Sequence, residues 1–264
     1  MVVSNRKNGS GTVSRVIRIL QVFSETTGDV SIKELSALTN LAPSTCHRLL
    51  NLLSEDDIIA FDPDHKRYSA GLEFIRIASL IANKASLSDI ARPFMERVVN
   101  VTNEACVIVS YLRTQKKITV VGVVKSSNPL QYNTELFTSR SPLWGATGQS
   151  VVAFLTRSEQ EELYDSSYTD IFPSTKAKLP PKDEYLAIMK KFQSEGYALS
   201  HGQTIEGAVG IGVPVFDKSS RVVGSLCVTL PEIRYTKKIR DKVLETLFPQ
   251  ARELSQTLGY ISKQ

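Results

Sequence analysis

An α+β chain is predicted, with an amino-terminal winged helix-turn-helix, a linker helix and a larger carboxyl-terminal domain of antiparallel strands and helices. Three observations predict it. Residues 31–69, SIKELSALTNLAPSTCHRLLNLLSEDDIIAFDPDHKRYS, carry two short helical patterns, a tight connection and a charged hairpin. Residues 71–83, GLEFIRIASLIAN, make a helix that is apolar nearly all round. From about residue 87, β-branched runs such as ACVIVSYL and ITVVGVV alternate with helical patterns, which is the texture of helices packed on the faces of a sheet. The boundaries expected are 12–70, 71–86 and 87–264.

Residues 1–11 (MVVSNRKNGSG) are polar and glycine-bearing and read as a disordered arm. Val13, Val16, Ile17, Leu20 and Phe23 mark a first helix, closed by Thr27-Gly28-Asp29. Ser31 and Glu34 then form an S-x-x-E capping box, in which each side chain satisfies an orphan donor of the first turn. Ile32, Leu35 and Leu38 give this second helix its apolar stripe. Pro43 suits the first position of the third helix, where a missing N–H costs nothing. Cys46, Leu49, Leu50 and Leu53 recur at i, i+3, i+4 and i+7 and face inward.

What remains outward on the third helix is Ser44, Thr45, His47, Arg48 and Asn51. Hydroxyls, an imidazole, a guanidinium and an amide are the groups that read base edges and grip phosphates from the major groove. A capped helix pair with a polar outer face is common, so the hairpin decides between the readings. Ile58–Phe61 reads as a strand, Asp62-Pro63-Asp64-His65 as a turn and Lys66–Ser69 as the return. Lys66 and Arg67 are then placed to touch the neighbouring DNA backbone or minor groove, and Arg15 on the first helix joins the same candidate set. Double-stranded operator DNA is the expected partner.

Composition permits this without proving it. The net charge is +5, yet basic and acidic residues nearly cancel over residues 1–85, so the inference rests on placement. The apolar face of residues 71–83 predicts contact with a second copy, hence a homodimer, in preference to burial within the chain's own larger domain. Three widely spaced cysteines (Cys46, Cys106 and Cys227) argue against a disulfide framework and for a reducing, cytoplasmic setting. No metal-ligand spacing, secretory signal or membrane-length apolar run is present, and no cofactor, metal or membrane partner is expected.

Enzyme signatures fail in particular ways. GAVGIG at 207–212 is G-x-x-G-x-G opening a β-branched strand, so it is not a dinucleotide fingerprint. No P-loop, G-x-S-x-G or H-E-x-x-H occurs, and no catalytic residue is assigned. A redox or ligand-processing enzyme using Cys106 or Cys227 is the alternative from another class, and it requires a thiol of lowered pKa. An architectural DNA protein is a third reading, one that leaves the larger domain without a role.

Over residues 12–260 the chain resembles the IclR (isocitrate lyase regulator) family of bacterial transcription factors. The resemblance runs through RVIRIL (15–20), LAPSTCHRLL (41–50), Asp62-Pro63-Asp64, RYSAG (67–71), Ala91-Arg92-Pro93, Ser141-Pro142-Leu143, ATGQ (146–149), Glu195-Gly196-Tyr197 and GVPVFD (212–217), in the family's order. It implies a DNA-binding domain, a dimerising linker helix and a GAF-like effector-binding domain that senses a small organic acid from carbon or aromatic catabolism. Carried onto this sequence, the effector pocket has Ala146, Thr147 and Gly148 as a floor whose backbone N–H groups hold a carboxylate. Ser200, Gly210, Cys227 and Thr229 are its polar wall. Ser200 and Gly210 stand where relatives that bind two- or three-carbon acids carry an acidic residue and a cysteine, and Gln149 replaces the usual lysine. The smaller wall leads to the expectation of a roomier pocket, suited to aromatic or other bulky acids.

Overall fold

Ser31 caps helix α2 (Ile32–Thr39) from both directions, its hydroxyl accepting from the Glu34 N–H while the Glu34 carboxylate accepts from the Ser31 N–H. Asn40, in the left-handed region at φ 54°, ends that helix. Pro43 opens α3 (Pro43–Glu55), whose Cys46, Leu49 and Leu50 are buried against Leu35 and against Ile19 and Val22 of α1 (Thr12–Glu25). A computed structural model describes residues 11–261, apart from Thr27, residues 83–85, 168–171 and 173–174 and the side chains of Ile81, Ala82 and Ser167. Residues 1–10 of the arm expected over 1–11 lie outside the described residues, as do residues 83–85 of the linker expected over 71–86.

The chain divides into two compact units, Met1–Lys84 and Ala85–Gln264. In the first, β1 (Ile59–Asp62) and β2 (Arg67–Ala70) form an antiparallel hairpin, with Asp62 opposite Arg67. Val30 bridges to Tyr68 on the far side of β2, tying the hairpin back to the start of α2. The core of this unit differs from expectation in α1. Ile19 and Val22 face inward, whereas Val13 is 73 % exposed and Ile17 45 %. The apolar positions of α1 exceed one stripe, so the pattern could not say which of them the other helices cover. After the hairpin, α4 (Leu72–Ala82) leaves Leu72, Ile75 and Leu80 exposed, with Phe74 and Ile77 half-buried.

The second unit opens with a second capping box, Ser86 with Asp89, at the head of α5 (Leu87–Thr102). Its antiparallel sheet has the order β5-β4-β3-β8-β7-β6. The strands are β3 (Ala105–Leu112), β4 (Lys117–Val124), β5 (Ser139–Arg140), β6 (Ala198–His201), β7 (Ala208–Phe216) and β8 (Val222–Pro231). Cys106 and Ile108 project to one face together with Leu226 and Val228, toward α5 and the long α9 (Lys237–Thr257), whose Leu247 packs in the same core. Val107, Val109 and Cys227 project to the other, toward α6 (Gly145–Val152), α7 (Arg157–Ser167) and α8 (Lys182–Glu195). Burial on both faces is why these strands read as continuous apolar runs. Each fully buried Leu or Ile, such as Leu226 or Ile108, contributes about 1.5–3 kcal/mol. Among the described residues no helix is long and apolar enough to cross a membrane.

Two short edge strands, β5 and β6, appear where the sequence pattern indicated none. α6 starts at Gly145, so the candidate floor residues Ala146, Thr147 and Gly148 all lie within the helix.

Candidate nucleic-acid interface and effector cavity

Burial of Cys46, Leu49 and Leu50 fixes the rotation of α3 and leaves Ser44, His47, Arg48 and Asn51 exposed, with Thr45 half-buried beside them. The Asn51 side-chain amide lies 3.5 Å from Nδ1 of His47, one turn away. Arg48, Lys66 and Arg15 have no side-chain hydrogen bond or ion pair among the described residues. Lys66 stands exposed in the left-handed region at the end of the hairpin turn. Asp62 organises that turn: it accepts from the Asp64 and His65 N–H groups and from the His65 ring at 2.7 Å, a bond that holds its carboxyl below the usual range.

Arg67 sits differently from its neighbour Lys66. Its Nε donates to the Asp29 carbonyl at 3.1 Å, and its guanidinium pairs with Glu34 at 3.0 Å. Arg67 thus ties the hairpin to the capping box of α2, a contact 33 residues away in sequence that no local pattern encodes.

In the second unit a cavity of about 50 Å³ lies between the start of α6 and the ends of β7 and β8. It brings together Ala146, Thr147, Ser200, Gly210, Cys227 and Thr229 from the sequence-based set. Register explains the wall: Ser200, Gly210 and Thr229 sit opposite one another on adjacent strands, and Cys227 lies two residues before Thr229. The Cys227 thiol is buried and pushed up to about 12 by that burial, so it is neutral. Gly148 is the exception. It stands one turn into α6, where an added Cβ would lie 2.2 Å from the Pro142 carbonyl oxygen, so it packs on backbone and does not line the cavity.

The floor also differs in its hydrogen bonding. The Ala146 N–H donates to Ser200 Oγ at 2.9 Å, and the Gly145 N–H donates to Gln203 Oε1 at 2.8 Å. Gly210 does not create the expected room: an added Cβ there would lie 3.1 Å from both the Ala146 Cβ and Ser200 Oγ. The small residue admits the helix start against the strand, and the space is spent on that packing. Sequence reasoning missed Arg140, Gly145 and Gln203, which also line the cavity. Arg140 is half-buried on β5 and has no side-chain partner among the described residues. Its pairing of β5 with Ile118 on β4 aims a cation at a cavity otherwise walled by neutral groups, and only the sheet order reveals it.

The geometry thus offers an outward polar helix with a hairpin that presents Lys66 in one unit and a small polar cavity with one cation in the other. Comparison with known proteins settles the family. The model of the IclR helix-turn-helix domain matches residues 12–63, and that of the bacterial transcriptional regulator IclR C-terminal domain matches residues 80–256. The chain belongs to the IclR family. It is similar to the HTH-type transcriptional regulator KipR of Bacillus subtilis, at 24 % identity over 96 % of this chain and 99 % of that protein. The crystal structure of an IclR transcriptional regulator from Alicyclobacillus acidocaldarius superposes with a TM-score of 0.77 at 20 % identity, covering 92 % of this chain and 97 % of that one. An IclR homolog from Microbacterium hydrocarbonoxydans complexed with 4-hydroxybenzoate superposes at 0.72 with 16 % identity, covering 94 % and 100 %.

As an IclR-family member the chain is a ligand-responsive, DNA-binding transcriptional regulator of a catabolic operon, with an amino-terminal helix-turn-helix and a carboxyl-terminal effector-binding domain. It is a transcription factor and not an enzyme. The redox alternative is thereby overturned, and its thiols explain why. Cys106 and Cys227 are both fully buried, and burial raises both above the ordinary thiol value, the reverse of an activated thiolate.

Proposed function

We propose that this regulator reads a near-palindromic operator as a cytoplasmic homodimer or dimer of dimers and releases or engages it in response to a small carboxylate. The amino-terminal domain acts as a winged helix-turn-helix. In it Ser44, Thr45, His47, Arg48 and Asn51 reach base edges, and Lys66 and Arg15 contact phosphate. Arg67 belongs to this interface indirectly, by holding the hairpin against Asp29 and Glu34. The carboxyl-terminal domain is GAF-like in role and layout.

The single observation that carries the ligand class is Arg140, a cation without a side-chain partner among the described residues, set across a 50 Å³ cavity from the N–H groups of Gly145 and Ala146. Guanidinium and backbone N–H groups converging on one small space suit a carboxylate. One water needs roughly 10–15 Å³ of such space, and a 150 Å³ apolar cavity takes benzene. A compact acid of a few carbons therefore suits the cavity better than an aromatic one, which would need the wall to move. This reverses the size preference drawn from Gly210.

Calorimetry on the full chain with pyruvate, succinate and 4-hydroxybenzoate tests the reading. Arg140→Ala is expected to weaken the best-bound acid about ten-fold, in keeping with a hydrogen bond to a charged group. Equal binding of pyruvate and its neutral amide would overturn the carboxylate reading.

The exposed apolar residues of α4 support a second copy as its cover. Leu80→Glu, or Ile75→Glu, is expected to shift the protein toward monomer in sedimentation and to weaken operator binding, while the far-ultraviolet spectrum is unchanged. A variant that stays dimeric with full operator affinity would count against α4 as the interface.

A further inference from the structure

Gln203 lies in a six-residue loop bounded by Gly202 and Gly207, whose φ angles are +61° and +68°. That backbone conformation strains a residue with a Cβ and suits glycine. The loop backbone is well held: the Gly202 N–H donates to the Ala208 carbonyl, the Ala208 N–H to the Ile205 carbonyl, Thr175 Oγ1 to the Gln203 carbonyl, and both the Tyr132 hydroxyl and the Glu232 N–H to the Gly207 carbonyl. Its interior residues Gln203, Thr204 and Ile205 wall the cavity. The Gln203 side chain reaches across, so that its amide oxygen takes the Gly145 N–H at 2.8 Å. A neutral carbonyl oxygen here occupies the donor that one oxygen of a carboxylate, with its other oxygen toward Arg140, would use.

We propose that Gln203 is a built-in competitor of the effector: its side-chain oxygen must leave the Gly145 N–H before a carboxylate binds there. This rests on the carboxylate reading above and adds to it a side chain of the protein that competes for the same donor. Ser200 differs from Gln203 in this respect. It lies on β6, is 7 % exposed and holds the adjacent Ala146 N–H from a strand that cannot swing away. The displaceable member of the pair is therefore the loop residue.

The chain carries its own reporter. Trp144 is the single tryptophan; it is 4 % exposed, precedes Gly145 at the head of α6, and meets the Phe172 ring edge-on at 5.9 Å. Tryptophan fluorescence of the full-length protein, titrated with acetate, pyruvate and 4-hydroxybenzoate, reads the site directly. Gln203→Ala is expected to bind the best of these acids three- to ten-fold more tightly than the native protein, the range of roughly one neutral hydrogen bond. Gln203→Glu is expected to bind it more weakly, because its carboxylate keeps the donor and pairs with Arg140. Opposite shifts from the two variants are the signature, since loss of a merely structural contact would move both the same way. Unchanged or weaker binding in Gln203→Ala, with the Arg140→Ala effect intact, overturns the competitor role alone. Absence of any acid-dependent change in all three proteins overturns the carboxylate reading and this proposal with it.

Discussion

Arg48→Ala is expected to cost about 1–3 kcal/mol of operator binding and to relax discrimination at a single base pair, as for loss of a bidentate contact to guanine. The reason lies in what fixes α3. Cys46, Leu49 and Leu50 are essentially solvent-free, so the helix cannot roll to bring another residue to the position of Arg48. Arg48 is exposed and has no side-chain partner among the described residues, so its guanidinium forfeits no internal bond on reaching a base. Lys66→Ala is the contrast. A lysine at an exposed turn meets phosphate as a point charge, so its loss should weaken all sequences alike and lower the salt slope by about one. Fluorescence anisotropy against operator and scrambled duplexes, at several salt concentrations, separates the two. If Arg48→Ala weakened both duplexes equally, Arg48 would be a phosphate contact and base reading would fall to the other α3 residues.

Most of the amino-terminal unit was legible because its signals are local. The Ser31–Glu34 box, Pro43 and the Cys46–Leu49–Leu50 spacing each specify geometry within one or two turns, and the structure has all three. The strands β3, β4, β7 and β8 were legible for a similar reason, since burial on both faces leaves long β-branched runs. The site was harder to read. Arg140 and Gln203 come to the cavity from an edge strand and a loop 63 residues apart, through sheet pairing and a side-chain bond that no spacing rule anticipates. Gly210 shows the converse, because a missing side chain reads as space in the sequence while the Ala146 methyl fills that space in the fold. Arg67 shows a third kind: a basic residue in a hairpin looks available for DNA until its partners Asp29 and Glu34 are placed.

Arg234→Met is expected to lower the stability of the effector-binding domain by about 3 kcal/mol, toward the lower end for breaking a buried ion pair. Arg234 makes a two-pronged pair with Glu104, at 2.7 and 2.6 Å, and its two terminal nitrogens also donate to the Leu130 carbonyl at 3.1 Å. The Glu104 side chain is 7 % exposed, so the variant leaves a carboxylate buried without its cation. Arg234 itself is 28 % exposed, and the water it admits keeps the cost from reaching the upper end of the range. The same guanidinium anchors the loop after β4 through Leu130, and that loop carries Tyr132, which holds Gly207, and Thr134, which lines the cavity. Loss of Arg234 should therefore loosen effector binding as well as lower the melting temperature. Adding Glu104→Gln to Arg234→Met removes the stranded charge, so the double variant should recover much of the lost stability. The Leu130 anchor stays absent in that background, so effector affinity should remain low while the melting temperature rises. Recovery of both together would mean that the pair supports the cavity only through global stability, and that the Leu130 anchor does not shape the site.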